Sequence, residues 1–274
     1  MLNGQLPGEQ FVIQVDTEFD KKSLWLQIHG NGIGNWNNEK QFTLTPEQIR
    51  QLAQAFRQAN FTGMPASFGH GTSIGGGLMK VSFVHRVWLI IDGFMKYVDQ
   101  ADQGEQSKEL AQLVDLIREM SAKAAKSGVS ATDLSDGMRK LAARELAPEA
   151  LDVYVNFRDK KRWMRIQGRD VSAYEGEPSR PVRRRLIMTR AEFEELFEML
   201  RPADKEWAVR LPVTERVDLH VQVLNRRKEM EGRPAEGRKV PAERTERRDD
   251  FERVVSWLDK LHRRTMTEGY LVSK

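Results

Sequence analysis

Two segments of this chain carry nearly the same series of residues. Residues 20–30 read DKKSLWLQIHG and residues 159–168 read DKKRWMRIQG, one residue shorter between the lysines and the tryptophan. Three further matches follow in the same order along the chain. They pair Leu44-Thr45 with Met188-Thr189, Arg86-Val87 with Arg216-Val217, and the apolar series Leu110, Leu113, Val114, Ile117 with Phe251, Val254, Val255, Leu258. Ordered matches with loop-sized slips between them predict one fold used twice.

The pattern inside each copy predicts an α+β fold. Short apolar runs separated by turn residues indicate strands, and longer series with helical spacing follow them, in the order β-β-β-α-β-β-α. We therefore expect two similar units of antiparallel sheet with helices packed on one face. The predicted boundaries are a first unit at 1–120, a helical linker at 121–150, and a second unit at 151–274 with a long charged loop near 225–249.

The best-defined helix starts occupy matching places in the two copies. Thr45 precedes Pro46 and lies three residues before Gln48, and Thr189 lies three residues before Glu192. A Thr cap with Gln or Glu three residues later is a capping box, and proline suits the first helical position. A helix is therefore predicted after each threonine.

Composition limits the chemistry available to the chain. The 274 residues include no cysteine, which excludes disulfides, thiol nucleophiles and thiolate metal sites. The longest apolar run, residues 87–91, is far too short for a membrane span, and residues 1–7 do not form a signal peptide. We expect a cytoplasmic protein if residue 1 is the natural start, and an extracytoplasmic one if a leader has been removed.

Charge is concentrated in the second half of the chain without becoming strongly basic. Residues 1–130 hold 12 Lys+Arg and 13 Asp+Glu, which leaves 32 and 27 of the totals 44 and 40 for the remainder. The segment 225–249 has nine basic and six acidic residues and no aromatic residue. Interleaved acids repel phosphates, so this segment is predicted to be a solvated, mobile long hairpin or loop, and nucleic acid is not the expected partner. The alternative is docking on an acidic partner through Arg226, Arg227 and Lys228.

A glycine-rich segment, residues 69–77, is specific to the first copy. It lacks the Gly-Lys-Ser/Thr ending of a phosphate-binding loop, so a flexible connection is the simpler interpretation. The alternative is a small-ligand-binding or hydrolytic site at this loop, with His70 and Ser73 exposed.

Histidine spacing gives no metal or catalytic motif. None of the five histidines is paired with another at the i, i+4 spacing that places two ligands on one helix face: His29, His70, His85, His220 and His262. No nucleophile elbow is present either. We therefore predict no catalytic residue, no metal and no cofactor.

The tryptophans divide into two kinds. Trp25 and Trp163 hold matching places in the two copies, which favours a shared role in the core. Trp36 lies among Asn35, Asn37 and Asn38, and is either an exposed contact residue or a cover over the sheet.

The first copy also resembles a known family. The series Leu26-Gln27-Ile28-His29-Gly30-Asn31-Gly32, then Thr45-Pro46-Glu47, then Phe61-Thr62-Gly63-Met64-Pro65, resembles a widespread bacterial family of small α+β domains of unknown function. The resemblance covers mainly residues 20–120 and is looser in the second copy, where Arg169-Asp170-Val171 replaces the glycine-containing turn. It implies the fold and no reaction.

Together these patterns predict a non-enzymatic protein-interaction or scaffold protein. A duplicated active site would leave matching titratable residues in both copies, and the only matched charged set is the Asp-Lys-Lys turn. The expected partner is another protein, and self-association stays open.

Overall fold

The computed structural model of the protein describes most of the chain. The described residues are 11–19, 22–69, 83–91, 94–102, 104–158, 161–177, 181–201, 210–212, 216–233 and 242–271. The chain divides into two compact units, unit 1 at residues 1–129 and unit 2 at residues 130–274. The division falls inside the segment 121–150 that was predicted as a linker.

Unit 1 is built on one eight-stranded sheet, sheet A. Its strands are β1 (Phe11–Phe19), β2 (Lys22–His29), β3 (Ile33–Trp36), β4 (Lys40–Thr43), β5 (Ser67–Phe68), β6 (Phe83–Ile91), β7 (Phe94–Ala101) and β8 (Val129–Ser130). Their order across the sheet is β5-β7-β6-β1-β2-β3-β4-β8. Neighbours from β7 to β4 are antiparallel, whereas β5 runs parallel to β7.

Two helices cover one face of sheet A. They are α1 (Pro46–Gln58) and α2 (Lys108–Ala125), and α2 packs against β3, β4 and β6. The predicted capping box of α1 is confirmed: the Gln48 N–H donates to Thr45 Oγ1 at 3.2 Å, and the Thr45 N–H donates to Gln48 Oε1 at 2.8 Å. Helix α2 continues to Ala125, five residues beyond the predicted end of the first unit at 120.

Alternation along the strands sorts side chains between the helix-covered face and the opposite face, which we call the outer face. On β1 and β2, the residues facing the helices are Ile13, Val15, Leu26 and Ile28, each at most 1% exposed. Their neighbours in sequence, Gln14 and Trp25 among them, project to the outer face because successive residues of a strand point in opposite directions.

Unit 2 is built on a second eight-stranded sheet, sheet B. Its strands are β9 (Leu151–Phe157), β10 (Arg162–Gln167), β11 (Asp170–Glu175), β12 (Val182–Ile187), β13 (Arg210–Pro212), β14 (Val217–Val223), β15 (Arg226–Arg233) and β16 (Tyr270–Leu271). Their order is β13-β15-β14-β9-β10-β11-β12-β16, with β13 parallel to β15 and the other neighbours antiparallel.

The described part of unit 2 holds three helices: α3 (Leu134–Ala142), α4 (Arg190–Leu200) and α5 (Ala242–Glu268). Thr189 and Glu192 form the predicted capping box of α4. Helix α5 packs against β11, β12 and β13, and α3 packs against β14 and β15. The approach of α3 is close, since a Cβ placed on Gly137 would lie 2.8 Å from Val223 Cγ1.

The predicted α+β class is confirmed, with two largely antiparallel sheets and five helices in the described residues. The predicted order, with three strands before the first helix, is wrong in detail, because four strands precede α1. The chain turns at Asn37 and Asn38, whose φ angles are 52° and 55°, and this turn separates β3 from β4. Two consecutive residues at positive φ favour the tight hairpin turn whose twist matches that of the strands.

Of the two forms predicted for the charged segment near 225–249, a long hairpin or a loop, the described part shows a hairpin strand followed by a helix. Residues 226–233 form strand β15, which pairs with β14 over residues 226–232, and α5 begins at Ala242. The apolar pattern does not indicate this strand, because Met230, 1% exposed, is the only large apolar residue in it. The remaining positions of β15 carry mainly charged side chains.

Candidate functional site

The predicted contact residue Trp36 belongs to the core side of unit 1. It ends β3, lies opposite Leu26 on β2, and packs half-buried against the hydrophobic core. Of the two roles considered for it, the structure favours the cover over the sheet. His70 and Ser73, like most of the glycine-rich segment, lie outside the described residues.

The predicted contact residues Arg226, Arg227 and Lys228 lie at the start of strand β15. Arg226 is exposed, yet its Nε donates to the Ala131 carbonyl oxygen at 2.9 Å. Arg227 forms an ion pair with Glu229. The side chains of Arg226 and Arg227 are thus held by the protein's own groups, in the β14–β15 hairpin, which is one of the two forms predicted for this segment.

The predicted core role of the matched tryptophans is wrong. Trp25 and Trp163 are each partly exposed and lie on the outer faces of sheets A and B. The physical reason is strand alternation: the residues on either side of Trp163, Arg162 and Met164, are buried against the helices at 8% and 0% exposure. A strand cannot direct three successive side chains to one face.

The outer face of sheet B holds an aromatic and cationic stack, which sequence reasoning missed. Trp163 on β10 lies opposite Tyr174 on β11, which lies opposite Arg183 on β12. The rings of Trp163 and Tyr174 stack with centroids 5.3 Å apart and planes 7° from parallel. The Arg183 guanidinium carbon lies 5.5 Å from the centroid of the Tyr174 ring. We call these three side chains the β10–β12 stack.

The geometry of the β10–β12 stack is fixed by backbone pairing. Because the three residues share one row across adjacent strands, their spacing follows the interstrand distance of about 4.8 Å. All three side chains are partly exposed. A flat, pre-ordered row that ends in a cation is suited to contact an apolar or planar group next to an anion.

The rest of this face is a lattice of ion pairs. Asp152 on β9 accepts from Arg165 Nε at 3.1 Å, and Asp170 on β11 accepts from Arg185 Nε at 2.7 Å. Asp218 on β14 accepts from Arg158 Nε at 2.5 Å. Each of these three arginines has a carboxylate partner that neutralises its charge.

Arg183 differs from those arginines. Its contacts within the described residues are the Tyr174 ring and the Ser172 hydroxyl, which accepts from Nη2 at 3.3 Å. No described carboxylate pairs with it, and its buried Nε has no hydrogen-bond partner in the described part of the chain. Arg183 is therefore the cation of the stack that remains available to an external anion.

His262 lies buried beneath the stack. It sits on α5 at 0% exposure, and its Nε2 lies 3.0 Å from the backbone carbonyl oxygen of Tyr174, to which it can donate. Burial lowers the pKa of His262 from its ordinary value of 6.5, against smaller opposing effects of the Tyr174 hydrogen bond and nearby carboxylates. A neutral imidazole thus supports the strand that carries Tyr174.

The outer face of sheet A carries a different polar cluster. Asp99 on β7 accepts hydrogen bonds from the Tyr97 hydroxyl, at 2.7 Å, and from the Ser67 hydroxyl on β5. Burial, followed by the Asp99 contact, raises the pKa of Tyr97. Beside this cluster Arg86 forms an ion pair with Asp16. The cluster fastens β5, the strand that precedes the glycine-rich segment.

Among the described residues, no group of three or more histidine and carboxylate side chains is arranged to hold a metal ion. No helix in the described ranges has both the length and the apolar character needed to cross a membrane.

The β10–β12 stack had only a partial signal in the sequence. Trp163 was visible as a repeated residue, but Tyr174 and Arg183 join it only through strand register, which the sequence does not specify. No family model matches the chain, and no curated protein sequence matches it.

Proposed function

We propose that the chain is a non-catalytic protein-interaction module that contacts its partner through the outer face of sheet B. The observation that carries this proposal is the β10–β12 stack. Trp, Tyr and Arg are the residue types that most often supply the binding energy of protein interfaces. Here they form one ordered, partly exposed row, so little side-chain entropy is lost on binding.

The surroundings of the stack support a protein partner over nucleic acid. Carboxylates of Asp152, Asp170 and Asp218 occupy the same face, each within a hydrogen bond of an arginine. A polyphosphate crossing this face would meet acids in several rows, whereas a protein surface can match a mixed pattern of charge.

The test compares two tryptophans at matching positions. Full-length protein, Trp163→Ala and Trp25→Ala are immobilised and used to capture proteins from an extract of the source cells. Capture should be lost in Trp163→Ala and kept in Trp25→Ala, which removes the equivalent residue of sheet A. If the wild type neither captures a partner nor associates with itself in size-exclusion chromatography, the proposal fails.

We also infer that the two units descend from one duplicated module. The shared strand order of sheets A and B supports this, as does the matching placement of the capping boxes on α1 and α4. The resemblance of residues 20–120 to a family of small α+β domains stays a prediction.

A small-ligand-binding or hydrolytic role for the glycine-rich segment is the second candidate. The observation favouring it is the anchoring of β5, which precedes this segment in sequence: the Ser67 hydroxyl donates to Asp99, which also accepts from the Tyr97 hydroxyl. In a thermal-shift screen of small metabolites, a ligand that stabilises the wild type but neither His70→Ala nor Asp99→Asn would support this role.

A further inference from the structure

Arg183 is the feature that defines what kind of partner the outer face of sheet B can take. It is the member of the β10–β12 stack that carries a charge, and none of the described carboxylates neutralises it. Neighbouring arginines of the same face, such as Arg165 and Arg185, are already paired with Asp152 and Asp170. An incoming anion therefore gains most at Arg183, since pairing elsewhere would first break an existing ion pair.

The aromatic part of the stack lies directly beside this cation. The Tyr174 ring centroid is 5.5 Å from the Arg183 guanidinium carbon and 5.3 Å from the Trp163 ring. In an extended peptide, alternate side chains point the same way and lie about 6.8 Å apart. A carboxylate and an apolar or aromatic side chain two residues apart thus fit Arg183 and the Trp163–Tyr174 pair at the same time.

Resting on the proposed function, we propose that the partner presents an acidic, extended peptide segment, with a carboxylate bound at Arg183 and an apolar or aromatic side chain on Trp163 and Tyr174. Charge complementarity carries this assignment. Among the described side chains of this face, Arg183 is the cation without a carboxylate partner, which matches a single carboxylate rather than a continuous run of phosphates.

The experiment uses full-length protein and fluorescence anisotropy of labelled polypeptides. A copolymer of glutamate and tyrosine is the probe, a copolymer of lysine and tyrosine is the control for charge, and oligothymidylate tests nucleic acid. The glutamate–tyrosine copolymer should bind, and its affinity should fall as salt is added because the contact is electrostatic. The lysine–tyrosine copolymer should not bind.

Two variants, each of which removes one positive charge, test whether the copolymer binds at Arg183. Arg183→Gln should weaken binding of the glutamate–tyrosine copolymer about tenfold, the usual effect of removing one charge-assisted pair. Arg190→Gln removes the same charge from α4, where Arg190 pairs with Glu194, and should change the affinity less than about twofold. Circular dichroism of both variants confirms that they fold.

The outcomes separate this inference from the proposed function. If Arg183→Gln binds the acidic copolymer as well as wild type, or if the basic copolymer binds equally, the partner is not an acidic segment. In that case, loss of partner capture in Trp163→Ala would still support the outer face of sheet B as the interaction surface. If oligothymidylate binds with the same dependence on Arg183, nucleic acid replaces the acidic peptide, and both proposals fall.

Discussion

The outer faces of the two sheets differ at every position of one row that crosses them. In sheet A the row holds amide side chains on four adjacent strands: Gln14, Gln27, Asn35 and Gln41. In sheet B the corresponding row holds Tyr154, Arg165, Ser172 and Arg185. The amides from Gln27 to Gln41 are buried, whereas Arg165 is exposed. One strand order therefore supports a row of neutral amides in unit 1 and a row with charged and aromatic side chains in unit 2.

The helix-covered faces differ far less. Leu26 and Ile28 in β2 correspond to Met164 and Ile166 in β10, and all four are at most 1% exposed. The contrast separates what the fold requires from what it tolerates. Apolar residues are fixed on one face because their burial stabilises the sheet, while the other face can change as long as its polar groups find partners.

Removal of matched core residues should give the largest effects. Leu26→Ala and Met164→Ala each leave a cavity under the centre of a sheet, so each should lower the free energy of unfolding by about 3 kcal/mol. Hydrogen exchange should rise in β1 and β2 for the first variant and in β9 and β10 for the second. Glu119→Ala and Glu195→Ala, at exposed helix positions, are the controls and should change stability by less than about 0.5 kcal/mol. Similar losses in the controls would contradict this division of the two faces.

The buried ion pair of unit 2 gives a second contrast between the units. Arg162 Nη2 lies 2.6 Å from Asp259 on α5, and both side chains are largely buried. The corresponding position of β2 holds Leu24, at 3% exposure. Asp259→Leu alone should cost about 3 kcal/mol, because it leaves a buried guanidinium without its carboxylate.

A double variant tests whether that cost arises from the unpaired charge. Arg162→Leu with Asp259→Leu should recover most of the lost stability, since leucine already serves in the corresponding place of sheet A. Urea denaturation monitored by circular dichroism measures both variants. The explanation is wrong if the double variant is as unstable as Asp259→Leu.

Replacement of the Gly34–Phe42 pair of unit 1 by the residue types found in unit 2 should change stability less than the variants above. In unit 1, a Cβ on Gly34 would lie 2.3 Å from the ring of Phe42, which is paired opposite it. In unit 2, Val171 and Leu186 hold this pair of positions. Gly34→Val should cost about 2 kcal/mol through overpacking. Adding Phe42→Leu should restore stability in thermal unfolding, and a double variant less stable than Gly34→Val would show that the two pairs are not interchangeable.

Protonation of His262 should make the stability of unit 2 depend on pH. Because its folded-state pKa lies below 6.5, the neutral form is favoured by folding. The stabilisation is therefore complete above pH 6.5, declines as the pH falls below that value, and levels off below the folded-state pKa. Around His262 lie Arg162 on β10, Asp259 on α5 and Glu175 on β11.

The measurement is urea denaturation from pH 7.5 to 5, compared between wild type and His262→Gln. Burial also lowers the pKa values of His85 and His220, so the comparison isolates the contribution of His262. The variant should lose less stability on acidification than the wild type. If wild type and His262→Gln lose stability equally as the pH falls, His262 has the same pKa in the folded and unfolded chain.

Local signals in the sequence predicted local structure well. The capping boxes at Thr45 and Thr189 predicted where α1 and α4 begin, because the cap and its partner are only three residues apart. Strand β15 could not be distinguished from a loop for the opposite reason. Its apolar content is small, and what makes it a strand is its pairing with β14.

The candidate site depends on pairings that the sequence does not contain. The match of Arg86 with Arg216 was two residues out of register. Arg86 lies opposite Asp16, and the position corresponding to it in sheet B belongs to Asp218, opposite Asn156. A slip of two residues preserves the buried face, so hydrophobic periodicity cannot detect it. For the same reason, hydrophobic periodicity could not show that Tyr174 and Arg183 lie in one row with Trp163.

The close approach of α3 at Gly137 has a consequence for anyone who wishes to express unit 2 alone. With Val223 Cγ1 only 2.8 Å from where a Cβ would stand, α3 is fitted against the end of the β14–β15 hairpin. The Arg226 hydrogen bond to the Ala131 carbonyl oxygen adds a second tie to the same hairpin. A fragment cut at residue 151, the predicted start of the second unit, would strip this cover and expose the apolar end of β14 at Val223. The minimal fragment must start by residue 130.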